Sequence, residues 1–159
     1  MKKILQTLLL LLFTFSISIN AQWKGSTSND DQRTMMIQRH MELYPKNDQS
    51  QLKNIFNQTA TINVNGTNVS PEELADFERM HHKIFNNIKF QVGANITSKY
   101  ENGQIWTHVW AWWSAEGKKS EESAIVPVHL AFSWDGLKSN SAYFFFDPTF
   151  INTELALNE

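Results

Sequence analysis

Alternation of apolar and polar positions divides the chain into a helical first half and a strand-rich second half. In the first half, Met36, His40 and Leu43 recur at intervals of three or four residues, and Pro45 follows them. This spacing predicts a helix that begins near Asp31 and ends at the proline.

A short helix and a strand are predicted next. Asp48, with Gln51 three residues later, has the spacing of a capping box, which predicts a short helix through Phe56. Residues 59–64 are β-branched at alternating positions and predict a strand, which ends in an Asn-Gly turn at 65–66.

The start of a longer helix is marked by the sequence Ser70-Pro71-Glu72-Glu73. The Ser70 hydroxyl can accept the free amide hydrogens of a first turn, Pro71 needs no amide hydrogen there, and Glu73 can reach back to Ser70. We therefore predict a helix that ends near 86–87. Its inward stripe comprises Leu74, Phe77, His81 and Ile84.

The second half predicts a series of antiparallel strands. Alternating apolar stretches are separated by turn sequences, among them Asn-Gly at 102–103 and Asp-Gly at 135–136. Helices followed by hairpin-linked strands indicate an α+β domain in which the helices cover one face of the sheet. The predicted strands are 88–100, 104–114, 123–134 and 140–146.

The first residues indicate export. Lys2 and Lys3 precede an apolar run at 8–15, and small and polar residues follow as far as Ala21. This layout predicts a signal peptide at 1–21 and a periplasmic or secreted protein with no stable membrane anchor after processing. An uncleaved anchor is the alternative, but the run is shorter than the roughly 20 residues that cross a bilayer.

The rest of the chain has the size of one domain, which we place at 31–155 after a flexible lead-in at 22–30. A hydrophobic fraction of 42% excludes disorder. The chain has no cysteine, which excludes disulfides and a lipid-modified cysteine. A net charge of −2 without a basic run argues against a nucleic-acid partner.

Four sequence features follow one another along the chain: Phe56-x-x-x-Ala60-Thr61, Ser70-Pro71-Glu72-Glu73, Trp134-Asp135-Gly136 and Tyr143-Phe144-Phe145-Phe146-Asp147-Pro148. With these features, the order of elements resembles the nuclear transport factor 2-like superfamily and its SnoaL-like proteins over about 31–155. The resemblance implies a cone-shaped α+β fold with three N-terminal helices packed on a strongly curved antiparallel sheet.

The steroid isomerases of this superfamily supply a test of function. Their oxyanion tyrosine falls near His40, their general-base aspartate near Val64 and their second oxyanion acid near His129. Valine cannot accept a proton, so the resemblance does not extend to steroid isomerisation by that mechanism.

Histidines are the main candidates for chemistry. His40 and His81 lie on inward helix stripes, and His129 and His108 lie in apolar strands. In a cone-shaped fold these rings would share one cavity, where imidazole is a natural general acid or base. A purely structural role is the alternative for each. Their spacing matches no zinc motif, and we expect neither a metal nor another cofactor.

Aromatic residues crowd the last strands and suit a pocket for an apolar molecule, although they can equally fill a core or form a dimer interface. Trp106, His108, Trp110 and Trp112 share one side of their strand, and the sequence leaves open whether that side faces inward. Besides the histidines, the candidate ligand-binding residues are Tyr44, Phe77, His81, Trp106, His108, Trp110, Phe144 and Phe146.

Asp147 completes the candidate catalytic residues with His40 and His129, because an acidic residue at the end of the last strand could orient a pocket histidine. Capping of the turn before Pro148 is its alternative role. Three functions follow. The first is an exported domain that binds a small, largely apolar molecule, the second a cofactor-independent lyase, isomerase or cyclase, and the third a dimerisation module. We expect a homodimer.

Overall fold

The computed structural model describes residues 24–158, so the predicted signal peptide at 1–21 lies outside the described part. Within that part, no helix is both long enough and apolar enough to cross a membrane. The elements in chain order are β1 (Gly25–Ser28), α1 (Gln32–Leu43), a 3-10 turn (Tyr44–Lys46), α2 (Leu52–Ile55), β2 (Phe56–Val64), β3 (Thr67–Val69), α3 (Pro71–Ile84), β4 (Phe85–Tyr100), β5 (Ile105–Gly117), β6 (Ser123–Asp135), β7 (Lys138–Phe146) and α4 (Thr149–Ala156).

The α+β class is confirmed, with two corrections to its details. The seven strands form one sheet in the order β1-β4-β5-β6-β7-β2-β3, and β2 runs parallel to β7, so the sheet is mixed and not wholly antiparallel. The first three helices do not form one N-terminal block, since α1 and α2 follow β1 and α3 comes after β2 and β3. The helix α2 is a single turn, and α4 was not predicted. The pairing of β4 with β5 shifts register at two places, and such irregularities generally bend a strand.

Local sequence signals explain where the main helices begin. Asp31 caps α1 by accepting the backbone N–H of Arg33 at 2.9 Å. At α3 the predicted capping box is present, with Ser70 and Glu73 bonded reciprocally. The capping box predicted at Asp48 is wrong, because its carboxylate accepts the nearby backbone N–H of Ser50 and the helix starts later.

The predicted lead-in is partly structured. Its residues Gly25–Ser28 form the edge strand β1 and pair with the four residues 97–100 of β4. Ser26 lies opposite Lys99, whose ammonium group bonds Asp31 at 2.7 Å. This ion pair, with the strand pairing, ties the beginning of the domain to the sheet.

The core lies between the helices and one face of the sheet. That inner face carries Val109, Ala111 and Trp113 from β5, while α1 contributes Ile37 and α3 contributes Leu74, all buried. Small side chains such as Ala111 let the helices approach the sheet closely, so the inner face of β5 is the face with fewer aromatic residues.

The unpredicted helix α4 closes one end of this core. Phe150 stacks on Phe85 with ring centroids 5.2 Å apart. The buried Glu154 accepts backbone N–H bonds from Lys119 and Ser120 in the turn between β5 and β6. Burial alone would raise the pKa of Glu154, but these hydrogen bonds outweigh it and lower the pKa.

Candidate functional site

A cavity of about 80 Å³ lies between α1, α3 and the inner face of the sheet. Its walls are mostly aromatic and aliphatic. Five of the lining residues have side chains with polar nitrogen or oxygen atoms: His40, Tyr44, Glu78, His81 and Trp113. These five side chains form two hydrogen-bonded groups.

The first group is a chain of three side chains. The Trp113 indole N–H donates to the Tyr44 hydroxyl oxygen at 2.9 Å, and that oxygen lies 2.6 Å from His81 Nδ1. Because the indole can only donate, the Tyr44 hydroxyl is free to donate its own hydrogen to Nδ1. His81 then carries its hydrogen on Nε2, which is buried without a protein partner.

Burial sets the protonation of this chain. It lowers the pKa of His81 to about 3, with a smaller contribution from the neighbouring charge of His82, so the His81 ring is neutral near pH 7. Burial and then the charge of Glu78 raise the pKa of Tyr44, against the opposing hydrogen bond from Trp113. The hydroxyl therefore stays protonated and keeps His81 Nε2–H as a donor.

The second group is a histidine–carboxylate pair. His40 Nε2 lies 2.9 Å from Glu78 Oε1, and both side chains are about nine-tenths buried. When Nε2–H donates to the carboxylate, His40 Nδ1 has a lone pair available. Neither Nδ1 nor Glu78 Oε2 has a protein partner. Together with His81 Nε2, the cavity residues thus carry three buried and unpaired polar atoms.

Helical spacing brings the two groups together. His40 and Tyr44 are four residues apart at the end of α1, and Glu78 and His81 are three apart on α3, so each pair shares one face. Sequence reasoning missed Glu78. Its signal was its position four residues after Leu74, on the same stripe as the predicted inward residues.

The structure brings part of the predicted site to the cavity. His40 on α1 is the predicted catalytic residue that lines it. His82, which follows His81 on α3, does not line the cavity, and its Nε2 lies 2.8 Å from the backbone carbonyl oxygen of Tyr44. The predicted ligand-binding residues that line the cavity are Tyr44, Phe77, His81, Phe144 and Phe146.

The other predicted residues of the strands lie on the outer face, so their placement in the cavity is corrected. Side chains alternate along a strand, and Val109 and Ala111 of β5 are buried inward. By the same alternation, the side chains of four predicted residues on β5 and β6 point away from the helices. They are Trp106, His108, Trp110 and His129.

Asp147 does not orient a histidine. Asp147 is exposed, and its Oδ1 accepts the Thr149 hydroxyl at 2.6 Å and the Thr149 backbone N–H at 2.9 Å, which lowers the pKa of Asp147. The alternative role as a turn cap before α4 is the one observed. In residues 24–158, no three His, Asp or Glu side chains cluster in a way that could hold a metal ion.

Comparison with known proteins identifies the fold. No protein-family model matches the chain, and no curated protein matches its sequence. Solved structures do match: a SnoaL-like protein from Jannaschia sp. CCS1 has a TM-score of 0.62 at 12% identity over 79% of this chain and 92% of that one. The chain has a SnoaL-like fold.

Two further structures share this SnoaL-like fold. One is a SnoaL-like polyketide cyclase from Agrobacterium tumefaciens, with a TM-score of 0.56 at 8% identity over 79% of this chain and 98% of that one. The other, from Catenulispora acidiphila, has a ketosteroid isomerase-like fold and is in complex with trimethylamine. Its TM-score is 0.60 at 12% identity over 77% of this chain and 92% of that one.

The outer face of this SnoaL-like fold carries a second group of aromatic rings, which we call the outer aromatic face. On adjacent strands, the rings of Trp110 and His129 lie 5.0 Å apart at 14° to each other, and His129 and Phe145 lie 6.3 Å apart at 23°. Members of this face include large, exposed apolar residues. The outer aromatic face comprises Trp106, His108, Trp110, Trp112, Ile125, His129, Tyr143 and Phe145.

Proposed function

We propose that this protein binds a small, largely apolar molecule in the cavity between α1, α3 and the sheet. The observation that carries the proposal is the set of three buried atoms without protein partners: His40 Nδ1, Glu78 Oε2 and His81 Nε2. Buried polar groups without hydrogen bonds are costly, so the cavity residues present donors and acceptors that a bound molecule can satisfy.

The volume of the cavity limits the size of the ligand. About 80 Å³ is between two and three times the roughly 30 Å³ that a water molecule occupies in the liquid. It is smaller than the roughly 300 Å³ at which pockets for drug-sized ligands begin. The trimethylamine bound by the Catenulispora neighbour, a molecule of four heavy atoms, supports a ligand of that size.

Proton transfer is the second candidate function, favoured by the His40–Glu78 pair. Its carboxylate orients the imidazole and leaves Nδ1 unpaired, while His81 Nε2–H is a neutral donor to a ligand oxygen. These groups suit a lyase, isomerase or cyclase that needs no cofactor. His129 cannot take part in such a step with His40, because its ring lies on the outer face of the sheet and His40 lines the cavity on the other side.

Native mass spectrometry of protein purified from its own host tests the binding proposal. We expect a small molecule to copurify with the wild-type chain and to be lost when the cavity is filled by Leu74→Phe. The matched control is Leu137→Phe, an exposed leucine in the turn before β7. Copurification that survives Leu74→Phe, in a variant with wild-type circular dichroism, would contradict binding in this cavity.

We further propose that a second copy of the chain covers the outer aromatic face. The exposed parts of Trp110, Trp112, Ile125, Tyr143 and Phe145 together amount to roughly 500 Å² if each of these side chains has about 150–250 Å² to bury. That is most of the roughly 800 Å² that each partner contributes to a standard interface. The face carries no Asp, Glu, Lys or Arg, so two copies meet without repulsion between like charges.

Light scattering tests the dimer. Trp110 is 44% exposed near the middle of the outer aromatic face, so Trp110→Glu would bury a carboxylate in the interface. We expect this variant to dissociate at least thirtyfold more readily than the wild type. Gln58→Glu adds the same charge at an exposed position of β2 outside this face and should leave the mass unchanged. A monomeric wild-type protein at high concentration contradicts the proposal.

We also propose export through the N-terminal segment, with cleavage after Ala21. N-terminal sequencing of the protein from culture medium or periplasm should begin at Gln22. Recovery of the uncleaved chain from the membrane fraction would favour the anchor instead.

A further inference from the structure

The charge of the cavity wall narrows the class of ligand. The described residues that line the cavity include one carboxylate, Glu78, and neither Lys nor Arg. Two histidines are the other titratable bases. Of these, His81 stays neutral because burial lowers its pKa to about 3, and His40 is paired with Glu78, so any positive charge on its ring is matched by that carboxylate. The wall therefore has no unmatched positive charge that would attract an anion.

Glu78 has one carboxylate oxygen that no protein group satisfies. Its side chain is 9% exposed, Oε1 bonds His40, and Oε2 is buried without a protein partner. A carboxylate oxygen in such surroundings is best satisfied by a charged donor, because charge-assisted hydrogen bonds are shorter and about twice as strong as neutral ones. The best complement to Oε2 is thus an N–H group that carries a positive charge.

The rest of the wall suits the alkyl groups of a cation. Aromatic side chains surround the cavity on α3, on the sheet and at the end of α1, and the faces of such rings attract cations. Methyl or methylene groups next to a charged nitrogen also remove apolar surface from water when they contact these rings. The aromatic residues of the wall are Tyr44, Phe77, Phe90, Trp113, Phe132, Phe144 and Phe146.

We infer that the cavity binds a small alkylammonium ion, whose N–H donates to Glu78 Oε2 and whose alkyl groups contact the aromatic wall. This inference rests on the proposed binding function and names the class of its ligand. The volume of about 80 Å³ restricts the ion to a few heavy atoms. His81 Nε2–H donates to a water molecule or to an oxygen of the ligand, since a cation itself offers no lone pair.

Three molecules of nearly equal shape and different charge test the inference. They are trimethylammonium, the neutral tert-butanol and the anionic trimethylacetate, each added to the full mature chain and followed by calorimetry and by the NMR signal of the Trp113 indole N–H. That indole donates to Tyr44 beside the cavity, so its signal reports binding there. We expect trimethylammonium to bind at least tenfold more tightly than tert-butanol, and trimethylacetate not to bind.

A single substitution tests the role of the Glu78 carboxylate in binding. Glu78→Gln keeps the shape and can still bond His40, so it should fold and lose at least tenfold in affinity for trimethylammonium while it keeps the affinity for tert-butanol. Glu72→Gln, at an exposed position of the same helix, is the matched control and should bind like the wild type. Equal affinity of Glu78→Gln and wild type for trimethylammonium would overturn the inference.

The charge series also separates this inference from the proposed function. If tert-butanol binds in the wild-type cavity as tightly as trimethylammonium, the ligand class is wrong and binding of a small apolar molecule stands. If the Trp113 signal responds to none of the three molecules, both are contradicted. The series uses the wild-type chain, so it decides the question even if Glu78→Gln fails to fold.

Discussion

Histidines lie among aromatic rings on both sides of the sheet, yet the two sides differ in how those histidines are held. On the inner side, His81 of α3 is fixed by a hydrogen bond from Tyr44, which is itself bonded by Trp113. On the outer face, His129 lies between Trp110 and Phe145 in a row of nearly parallel rings.

This difference indicates two kinds of site. Directional hydrogen bonds fix the rotation of a ring and determine which nitrogen carries the hydrogen, which a ligand site requires. Stacked rings give a broad apolar surface without a fixed donor or acceptor, which suits association with another surface. The composition of the two faces is therefore a poor guide to their roles, and the hydrogen bonds are a better one.

Truncation of one phenylalanine on each face should give the largest difference in the free energy of unfolding. Phe132 is 1% exposed and contacts Phe56, Phe144 and Trp134, so Phe132→Ala should lower the free energy of unfolding by about 3–5 kcal/mol. Phe145 is 48% exposed, and Phe145→Ala should cost less than about 1 kcal/mol. Urea unfolding at low protein concentration, where a dimer contributes least, measures both.

Similar costs for the two variants would contradict the assignment of faces. To exclude a change of structure, circular dichroism of each folded variant should match the wild type.

The sequence pattern predicted which residues share a side of β5 but not which side is buried. Period-two alternation grouped Trp106 with Trp110 and Val109 with Trp113, as observed. A count of aromatic residues would place the first group in the core. The inner side is instead the one with Ala111, because helices that pack on a sheet need small residues beneath them, and the positions of helices are not a property of one strand.

Other features depended on contacts between distant segments. Pairing of β2 with β7 joins Ile62 to Ala142, 80 residues away, and no local pattern specifies it. The stripe of α3 was predicted from its apolar members, so Glu78 was passed over even though helical spacing placed it inward. By contrast, the start of α3 at Ser70 and Pro71 was predicted correctly, because the capping box is a contact between neighbours in sequence.

The pH dependence of the free energy of unfolding should show that His81 is held neutral in the folded protein. Unfolded His81 takes up a proton as the pH falls through about 6.5, whereas the folded ring stays neutral until about 3, so the unfolded state binds more protons between these values. Stability is therefore lost as the pH falls. From pH 7 to pH 5, His81 alone should remove about 2 kcal/mol from the free energy of unfolding.

The variant His81→Gln tests this contribution. Gln can still accept the Tyr44 hydroxyl hydrogen but does not titrate, so its unfolding free energy should fall by about 2 kcal/mol less than that of the wild type over pH 7 to 5. Urea unfolding at several pH values gives the difference, with each protein compared with itself at pH 7. Parallel curves for the two proteins would mean that His81 is not held neutral by burial.

Removal of one tyrosine hydroxyl on each side of the sheet should change the free energy of unfolding by different, smaller amounts. Tyr44→Phe leaves the Trp113 indole N–H without its acceptor and His81 Nδ1 without its donor, which should cost about 1.5 kcal/mol. Tyr143 is 40% exposed on the outer face, so Tyr143→Phe should change the free energy of unfolding by less than about 0.5 kcal/mol. The indole N–H signal of Trp113 should shift only in Tyr44→Phe. If that signal is unmoved, the hydrogen-bonded chain that holds His81 Nε2–H as a donor is absent, and the inner face loses the feature that distinguishes it from the outer one.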